Sequence, residues 1–384
     1  MAVFAAFRLP VSAADPDYTF SSGAVLLDNS YSGKNILIQN GVFSVTVSGA
    51  TNVNIIFDSV TMDRRYDKDV NGTIEGLWKV TTALGWRNSN YSTTGIAQTC
   101  PLLLTNGASA TVAFRGVNNF YAGTNKCTVS NGNRYTKNQS GGFAGVQVDD
   151  GSKLTISPSG GTLNAHGAFY VEGDNSENSS YGYGSPAGVS QNQLAGGAGI
   201  GGGAAWNTTT SASSSYTAGT PGTIIINGGN IKAYGGHQAA GIGGGLNGAA
   251  TNTSVTINGG NVNAYGGRWA AGIGDGDSLQ NNWTTKYTEN YSIVINGGKV
   301  NAAGGVGCPG IGSTDEVSAG NGISRISTSG LTIHLNGGEI TAKSGYPDKF
   351  NPQGTAGYSG TDAAAAIGAG NKTNMQSNSI HVLS

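Results

Sequence analysis

Short runs in which apolar and polar residues alternate recur along this chain, separated by turns rich in glycine and asparagine. In Asn230–Tyr234, Ile231 and Ala233 fall on one side and Lys232 and Tyr234 on the other, as in a strand with one buried face. The pattern predicts many short strands and no long helix. Other runs of this kind are Asn35–Ile38, Val42–Val47, Val53–Phe57, Leu102–Leu104, Ala110–Phe114, Val146–Val148 and Ser379–Leu383.

A unit of two strands followed by Gly-Ile-Gly repeats four times, with a looser copy before them. From the last residue of the first strand to the isoleucine of Gly-Ile-Gly, the spacing is 16 residues in three copies and 32 in the fourth. A fixed core with variable loops at fixed corners is typical of a solenoid, whose coils stack about 4.8 Å apart. The copies begin at Leu154, Ile224, Val255, Ile293 and Ile333.

The repeat therefore predicts an all-β fold, a right-handed parallel β-helix (β-solenoid) with loop insertions. We expect one domain over 15–384, with looser coils in 15–150, regular repeats in 151–384, and insertions near 63–98 and 121–142. Each Asn-Gly-Gly turn needs a positive φ, which glycine supplies. Its asparagines are predicted to form a ladder at one corner: Asn227, Asn258, Asn296 and Asn336.

Composition and charge narrow the possible partners and the location. The 384 residues include 65 glycines and only 11% charged residues, with a net charge of −1, so a basic nucleic-acid-binding face is not expected. No stretch reaches the ~20 apolar residues of a membrane span.

Residues 1–14 resemble the end of a secretory signal, which predicts a secreted or surface location; the alternative is a frayed N-terminus. Cys100 and Cys127 could form a disulfide in such a location, or remain thiols.

Three features resemble glycine-rich bacterial surface proteins: Val53–Met62, Pro101–Ser109 and the Gly-Gly…Ala-Gly-Ile-Gly copies. Those proteins are similar to the pectate-lyase-like β-helices and to carbohydrate-binding β-helix domains, and the resemblance covers most of residues 20–383. It implies a β-helix at the cell surface. It does not imply one activity, because this fold hosts lyases, hydrolases, adhesins and binding modules.

One predicted outward column suits a carbohydrate. His166, Tyr234 and Tyr265 align on the second strand and are followed by Ala303. Stacked aromatic rings flanked by amides match the apolar faces and hydroxyls of sugars. The alternative is cross-strand aromatic packing that stabilises the sheet. The neighbouring column holds Asn164, Lys232, Asn263, Asn301 and Thr341, and the predicted binding residues are His166, Lys232, Tyr234, His237, Asn263, Tyr265, Arg268 and Trp269.

A second predicted column holds carboxylates. Asp277 and Asp315 both lie four residues past the isoleucine of Gly-Ile-Gly, Asn371 takes the same position, and Asp275 and Glu316 flank them. Neighbouring carboxylates repel each other unless a cation offsets their charge, so these five residues form a candidate Ca²⁺ site. A carboxylate pair would also suit a retaining glycosidase. The simplest alternative is that both aspartates lie in long loops and face water.

The leading hypothesis is a secreted or surface protein that binds a polysaccharide or acts as an adhesin without catalysis. A second hypothesis is a polysaccharide lyase or glycoside hydrolase, whose cleft would be roofed by the insertions near 63–98, 167–196 or 345–362. The charged segment Asp58–Asp69 fits such a site or a solvated loop. A third hypothesis is a filament or surface array formed through the terminal coils. No organic cofactor is expected, because the Gly-x-Gly-x-x-Gly match at Gly197–Gly202 is not followed by an amphipathic helix.

Overall fold

The predicted fold class is confirmed: the chain forms a right-handed parallel β-helix with three long parallel sheets. Within the part that the structure describes, the one helical segment is a 3₁₀ turn at Asn29–Tyr31, and no helix is long and apolar enough to cross a membrane. The computed structural model describes residues 15–64, 67–68, 74–75, 100–123, 142–168, 196–203, 220–236, 238–246, 253–267, 269–276, 287–305, 307–314, 327–345, 365–369, 374–376 and 379–382.

Sheet 1 has ten strands, formed by the first strand of each repeat and its counterparts in the looser coils. All its neighbours pair in parallel. In spatial order its strands are β1 Tyr18–Phe20, β3 Asn35–Gln39, β5 Val53–Asp58, β10 Ser109–Arg115, β13 Lys153–Ile156, β16 Thr223–Ile226, β19 Ser254–Ile257, β23 Ser292–Ile295, β27 Thr332–Leu335 and β31 Ser379–Val382.

Sheet 2 has seven parallel strands and begins two coils later than the other two sheets. It contains the second strand of every repeat and therefore carries the predicted aromatic column. Its strands are β6 Thr61–Asp63, β11 Val117–Tyr121, β14 Thr162–His166, β17 Asn230–Tyr234, β20 Asn261–Tyr265, β24 Lys299–Ala303 and β28 Glu339–Lys343.

Sheet 3 has nine parallel strands, which in the regular coils shrink to the Gly-Ile-Gly motif. Its strands are β2 Gly23–Leu27, β4 Val42–Ser48, β9 Leu102–Thr105, β12 Val146–Val148, β15 Ile200–Gly201, β18 Ile242–Gly243, β21 Ile273–Gly274, β25 Ile311–Ser313 and β29 Ile367–Ala369. The chain passes from sheet 1 to sheet 2 to sheet 3 in each full coil.

Two small sheets lie outside sheets 1, 2 and 3. One is a parallel sheet of three strands in the loops after Gly-Ile-Gly, which the sequence pattern does not predict: β22 Tyr287–Glu289, β26 Ser327–Ser329 and β30 Asn374–Gln376. The other is an antiparallel pair in the first predicted insertion: β7 Asp67–Lys68 and β8 Ile74–Glu75.

The core lies between the three sheets and changes character along the axis. In the looser coils, Phe57, Phe114 and Phe120 are buried and pack ring to ring, with centroids 5.0 to 6.3 Å apart. In the regular coils, the inward positions of sheet 2 hold Ile231 and Ala233 and their counterparts, which are at most 2% exposed up to β24 and partly buried in the last strand, β28. The inward side chains of sheet 2 are therefore smaller in the later, more regular coils.

The corner between sheets 1 and 2 confirms the predicted asparagine ladder. The amide nitrogen of Asn258 donates to Oδ1 of Asn227 at 2.7 Å, that of Asn296 to Asn258 at 2.8 Å, and that of Asn336 to Asn296 at 2.7 Å. The second glycine of the turn has the predicted positive φ, for example +95° at Gly260. The identical turn in every coil thus keeps these side chains in register.

The glycines of Gly-Ile-Gly are required by close contact between coils. Gly274 has a φ of +147°, and a Cβ there would lie 1.7 Å from the carbonyl oxygen of Gly312 in the next coil. Any larger residue would therefore push adjacent backbones apart as well as strain its own φ.

Of the two cysteines that could form a disulfide or remain thiols, Cys100 is a free thiol. Cys100 is buried, and its thiol donates to the carbonyl oxygens of Leu102 and Ala144 at 3.1 and 3.2 Å. Burial raises the pKa of this thiol well above its usual value. Cys127 and residues 1–14 lie outside the described residues.

Candidate functional site

The outward face of sheet 2, which we call the sheet 2 face, carries three columns of side chains that run along the helix axis. Pairing across all seven strands keeps every second residue of each strand outside and in register. The first column is Val117, Thr162, Asn230, Asn261, Lys299 and Glu339. The amide column is Thr61, Asn119, Asn164, Lys232, Asn263, Asn301 and Thr341. The aromatic column is Asp63, Tyr121, His166, Tyr234, Tyr265, Ala303 and Lys343.

The predicted alignment of these columns is confirmed. His166 pairs with Tyr234, Tyr234 with Tyr265, and Tyr265 with Ala303. The alternation of the strand places Lys232 on the outside, where it is exposed, while its neighbours Ile231 and Ala233 are buried. The sequence repeat therefore determines which side chains share the face.

The amide column forms partial ladders of its own. The amide nitrogen of Asn164 donates to Oδ1 of Asn119 at 2.8 Å, and that of Asn301 to Oδ1 of Asn263 at 3.0 Å. Lys232 lies between these two pairs in the register. Each primary amide has two N–H donors, and a ladder bond uses one of them. The column is thus pre-ordered and retains hydrogen-bonding capacity for a ligand.

The aromatic column is a continuous stack of four rings. Centroids of Tyr121 and His166 lie 4.5 Å apart, those of His166 and Tyr234 4.5 Å, and those of Tyr234 and Tyr265 5.0 Å, with interplanar angles of 21°, 9° and 12°. Parallel rings at this spacing cover one another's faces, so the planes lie across the helix axis and the ring edges point outward.

This orientation refines the expected role of the aromatics. The inner rings stabilise the sheet by packing across strands, as the alternative interpretation predicts. A sugar can stack only on a ring face at one end of the column, while ring edges and tyrosine hydroxyls are presented along its length. Sequence alignment alone does not reveal this difference.

Among the asparagines of the amide column and the rings of the aromatic column, sequence reasoning missed Asn119 and Tyr121. They precede the regular repeats, yet they share the spacing of Asn164 and His166, an asparagine followed two residues later by a ring. The missed signal was thus a short motif within a looser coil.

Charges on the sheet 2 face are few. In the first column, Lys299 and Glu339 form an ion pair, with Nζ and Oε1 2.7 Å apart and side chains 53% and 68% exposed. Such an exposed pair carries no net charge and contributes little to stability. The remaining cationic side chains of the face are Lys232 and Lys343, both exposed.

Of the other predicted carbohydrate-binding residues, Trp269 can be placed, and it does not extend this face. Trp269 lies in the turn after sheet 2 with a φ of +59° and is only 7% exposed. Its ring is therefore mostly withdrawn from solvent. His237 and Arg268 lie outside the described residues.

One member of the predicted metal site can be placed. Asp275 is fully buried, and the hydroxyl of Ser313 donates to its Oδ2 at 3.3 Å. Burial, and secondarily the charge of Asp275, raises the pKa of the buried Tyr291 hydroxyl. Among the described residues, no three His, Cys, Asp or Glu side chains cluster to hold a metal ion. Asp277, Asp315, Glu316 and Asn371 lie outside that part, so the Ca²⁺ site stays a prediction.

Comparison with known proteins identifies the repeat. A family model described as a beta helix repeat matches three segments, 224–246, 255–277 and 293–315. These segments contain the three most regular coils, from β16 to β18, from β19 to β21 and from β23 to β25. No curated protein and no solved structure matches the chain.

Proposed function

We propose that this protein is a non-catalytic, extracellular β-helix protein that binds a polysaccharide or acts as an adhesin through the sheet 2 face. One observation carries the proposal: seven strands hold an amide column and an aromatic column side by side and in register. At a strand spacing of about 4.8 Å, this makes a rigid polar and aromatic strip about 30 Å long.

The chemistry of the strip favours sugars over other ligands. Amides pair with hydroxyl groups as both donors and acceptors, and asparagines such as Asn263 and Asn301 are held in place by their own hydrogen bonds. Because the side chains are already ordered, binding costs less conformational entropy. The low charge of the face argues against a purely ionic partner such as a nucleic acid.

Binding to a glycan array tests the proposal. The variant Tyr234→Ala/Tyr265→Ala removes two rungs of the aromatic column, and we expect it to lose most of the wild-type glycan binding. A matched control is Thr256→Ala, which changes an outward residue of sheet 1 and is expected to bind as the wild type does. Circular dichroism must show that both variants keep the β-helix.

Two results would contradict the proposal. Unchanged binding by the double variant would show that the sheet 2 face is not the site. Release of shortened products from an acidic polysaccharide by the wild type, abolished by Asp277→Asn, would show that the protein is an enzyme.

A further inference from the structure

The amide column of the sheet 2 face is interrupted at its centre. Asn164 donates to Asn119 at 2.8 Å, and further along the column Asn301 donates to Asn263 at 3.0 Å. Lys232 occupies the position between these two pairs. In the corner ladder, by contrast, asparagine recurs in four successive coils and every neighbouring pair is bonded. The lysine therefore stands where an asparagine would have joined the two pairs into one ladder.

The interruption leaves one amide end of each neighbour turned toward Lys232. The nitrogen of Asn164 is used in its ladder bond, so its Oδ1 lies on the side of Lys232. Oδ1 of Asn263 accepts from Asn301, so the amide nitrogen of Asn263 lies on the side of Lys232. That nitrogen makes one long contact, 3.5 Å to Oδ1 of Asn261. Since a primary amide has two N–H donors, Asn263 keeps a donor for a ligand beside Lys232.

The ammonium group of Lys232 has no opposite charge close to it on the described part of this face. The side chain is exposed, and no described residue forms a hydrogen bond or an ion pair with it. The nearest carboxylates of the face are those of Asp63 and Glu339, each three coils away, about 14 Å along the axis at the usual strand spacing. Exposed charges so far apart are largely screened at physiological ionic strength, and Glu339 is already paired with Lys299.

Comparison with Lys153 shows that the position of Lys232 is unusual. Lys153 is also exposed, but it lies on the outward side of sheet 1 with Ser109 and Thr223 as its neighbours in the register, so it interrupts no amide ladder there. Lys232 lies in the middle column of three, on the fourth of seven strands. A residue that breaks a repeated pattern at the centre of a surface is the kind of local conflict that functional sites carry.

The groups around Lys232 match an oxyanion. Asn230 is exposed and lies two residues earlier on the same strand, about 6.6 Å away, and Asn263 lies one coil away, about 4.8 Å. An oxyanion above the ammonium group can accept a charge-assisted hydrogen bond from Lys232 and an N–H from each amide. A neutral sugar hydroxyl gains less from the ammonium group because it carries no charge. The arrangement therefore favours a carboxylate or a sulfate ester over a hydroxyl.

We propose that Lys232, together with Asn230 and Asn263, binds one oxyanion of an acidic polysaccharide, either a carboxylate or a sulfate ester. The inference rests on the proposed function, and it adds the charge class of the polysaccharide and the position of its acidic group. The sugars on either side of that group lie over the uncharged amides and ring edges of the same face. A single lysine at the centre thus selects an acidic chain without a basic surface.

The decisive variant is Lys232→Asn, which removes the charge and completes the amide ladder. Because the new asparagine can donate to Asn164 and accept from Asn263, the melting temperature should stay equal or rise. The affinity for an acidic polysaccharide, measured by calorimetry, should fall at least about tenfold, as expected for the loss of one charge-assisted hydrogen bond. An intact or more stable fold shows that the lost affinity comes from the ammonium group itself.

Two matched pairs of polysaccharides isolate the effect of charge. Polymannuronate is compared with neutral mannan, and dextran sulfate with dextran. We expect the wild type to bind the acidic member of at least one pair at least about tenfold more tightly than the neutral member, and added salt should weaken only the acidic binding. The pair that shows the preference distinguishes a carboxylate ligand from a sulfate ligand. Lys153→Asn is the matched control and should keep the wild-type preference.

Three results would overturn the inference. The first is equal wild-type affinity for the acidic and neutral members of both pairs. The second is a preference for the acidic member that survives in Lys232→Asn. The third is an equal loss of preference in Lys153→Asn, because the overall charge of the protein and not the position of Lys232 would then determine binding.

The failure of this inference can be told from that of the proposed function. If the wild type binds acidic and neutral polysaccharides equally while Tyr234→Ala/Tyr265→Ala binds neither, the sheet 2 face is the site but Lys232 does not select an anion. If the wild type binds none of the polysaccharides and no glycan of the array, the proposed function and the anion site both fall.

Discussion

Replacing Asn258 by alanine would remove an interior rung of the asparagine ladder at the corner between sheets 1 and 2. Asn258 donates to Asn227 at 2.7 Å and accepts from Asn296 at 2.8 Å, so the variant loses two hydrogen bonds. At about 0.5–1.5 kcal/mol for each bond, Asn258→Ala should lower the free energy of unfolding by about 1–3 kcal/mol. Because the ladder is exposed to water, we expect a value in the lower half of that range.

The end of the ladder supplies the matched control. Asn336 makes one ladder bond, to Asn296, so Asn336→Ala should cost about half as much. Neither asparagine has a positive φ, so alanine introduces no backbone strain at either position. Both residues bond to Asn296, so the double variant leaves Asn296 without a ladder bond, and its effect is expected to differ from the sum of the single effects.

Urea denaturation followed by far-ultraviolet circular dichroism measures these differences. A destabilisation of Asn258→Ala no larger than that of Asn336→Ala would refute the reasoning, because the number of ladder bonds would then not determine stability. A third variant, Asn227→Ala combined with Asn258→Ala, should be less than additive, since these two residues share a bond.

Three further predictions concern other parts of the fold. Gly274→Ala should destabilise the protein by about 2–5 kcal/mol, because it combines left-handed backbone strain with overpacking against Gly312; a melting temperature close to that of the wild type would contradict this. Burial raises the pKa of Tyr291, so the stability tied to its neutral hydroxyl is present below about pH 10 and is lost as the pH rises through the folded-state pKa. Tyr291→Phe should therefore flatten the fall of melting temperature above pH 10, and an unchanged slope would count against it. Glu339→Gln breaks the exposed ion pair with Lys299 and should change the unfolding free energy by less than about 1 kcal/mol, as checked by urea denaturation.

The sequence predicts the regular coils well because their register is repeated. The spacing from Ile226 to Ile242 recurs in the next two coils, so aligned residues such as Tyr234 and Tyr265 must share a column. The asparagine ladder follows for the same reason. A one-residue error in this alignment would turn every side chain to the opposite face of its strand.

Other features depend on quantities that an alignment does not contain. The stacking of Tyr234 on Tyr265 is set by side-chain torsion angles, and those determine that ring faces are covered and ring edges exposed. Strand β11 at Val117–Tyr121 belongs to a coil without the glycine motif and was therefore missed. The small sheet of β22, β26 and β30 forms between loops of different length, where no repeated spacing indicates a strand.

The turns that build the corner ladder also have a consequence for chemical ageing. Asn258 and Asn296 are each followed by glycine, and asparagine before glycine is the pair most prone to deamidation, in which the following backbone nitrogen attacks the side-chain carbonyl carbon. In the ladder, each interior amide is held by a neighbour on both sides, which restrains that approach. Conversion of an asparagine to aspartate would also replace its amide N–H donor by a carboxylate oxygen. That charged oxygen would then face the side-chain carbonyl oxygen of the neighbouring rung. Over the lifetime of the protein, deamidation should therefore accumulate at the corner that keeps the coils in register. It should begin at the end rungs of the ladder, which make a single ladder bond.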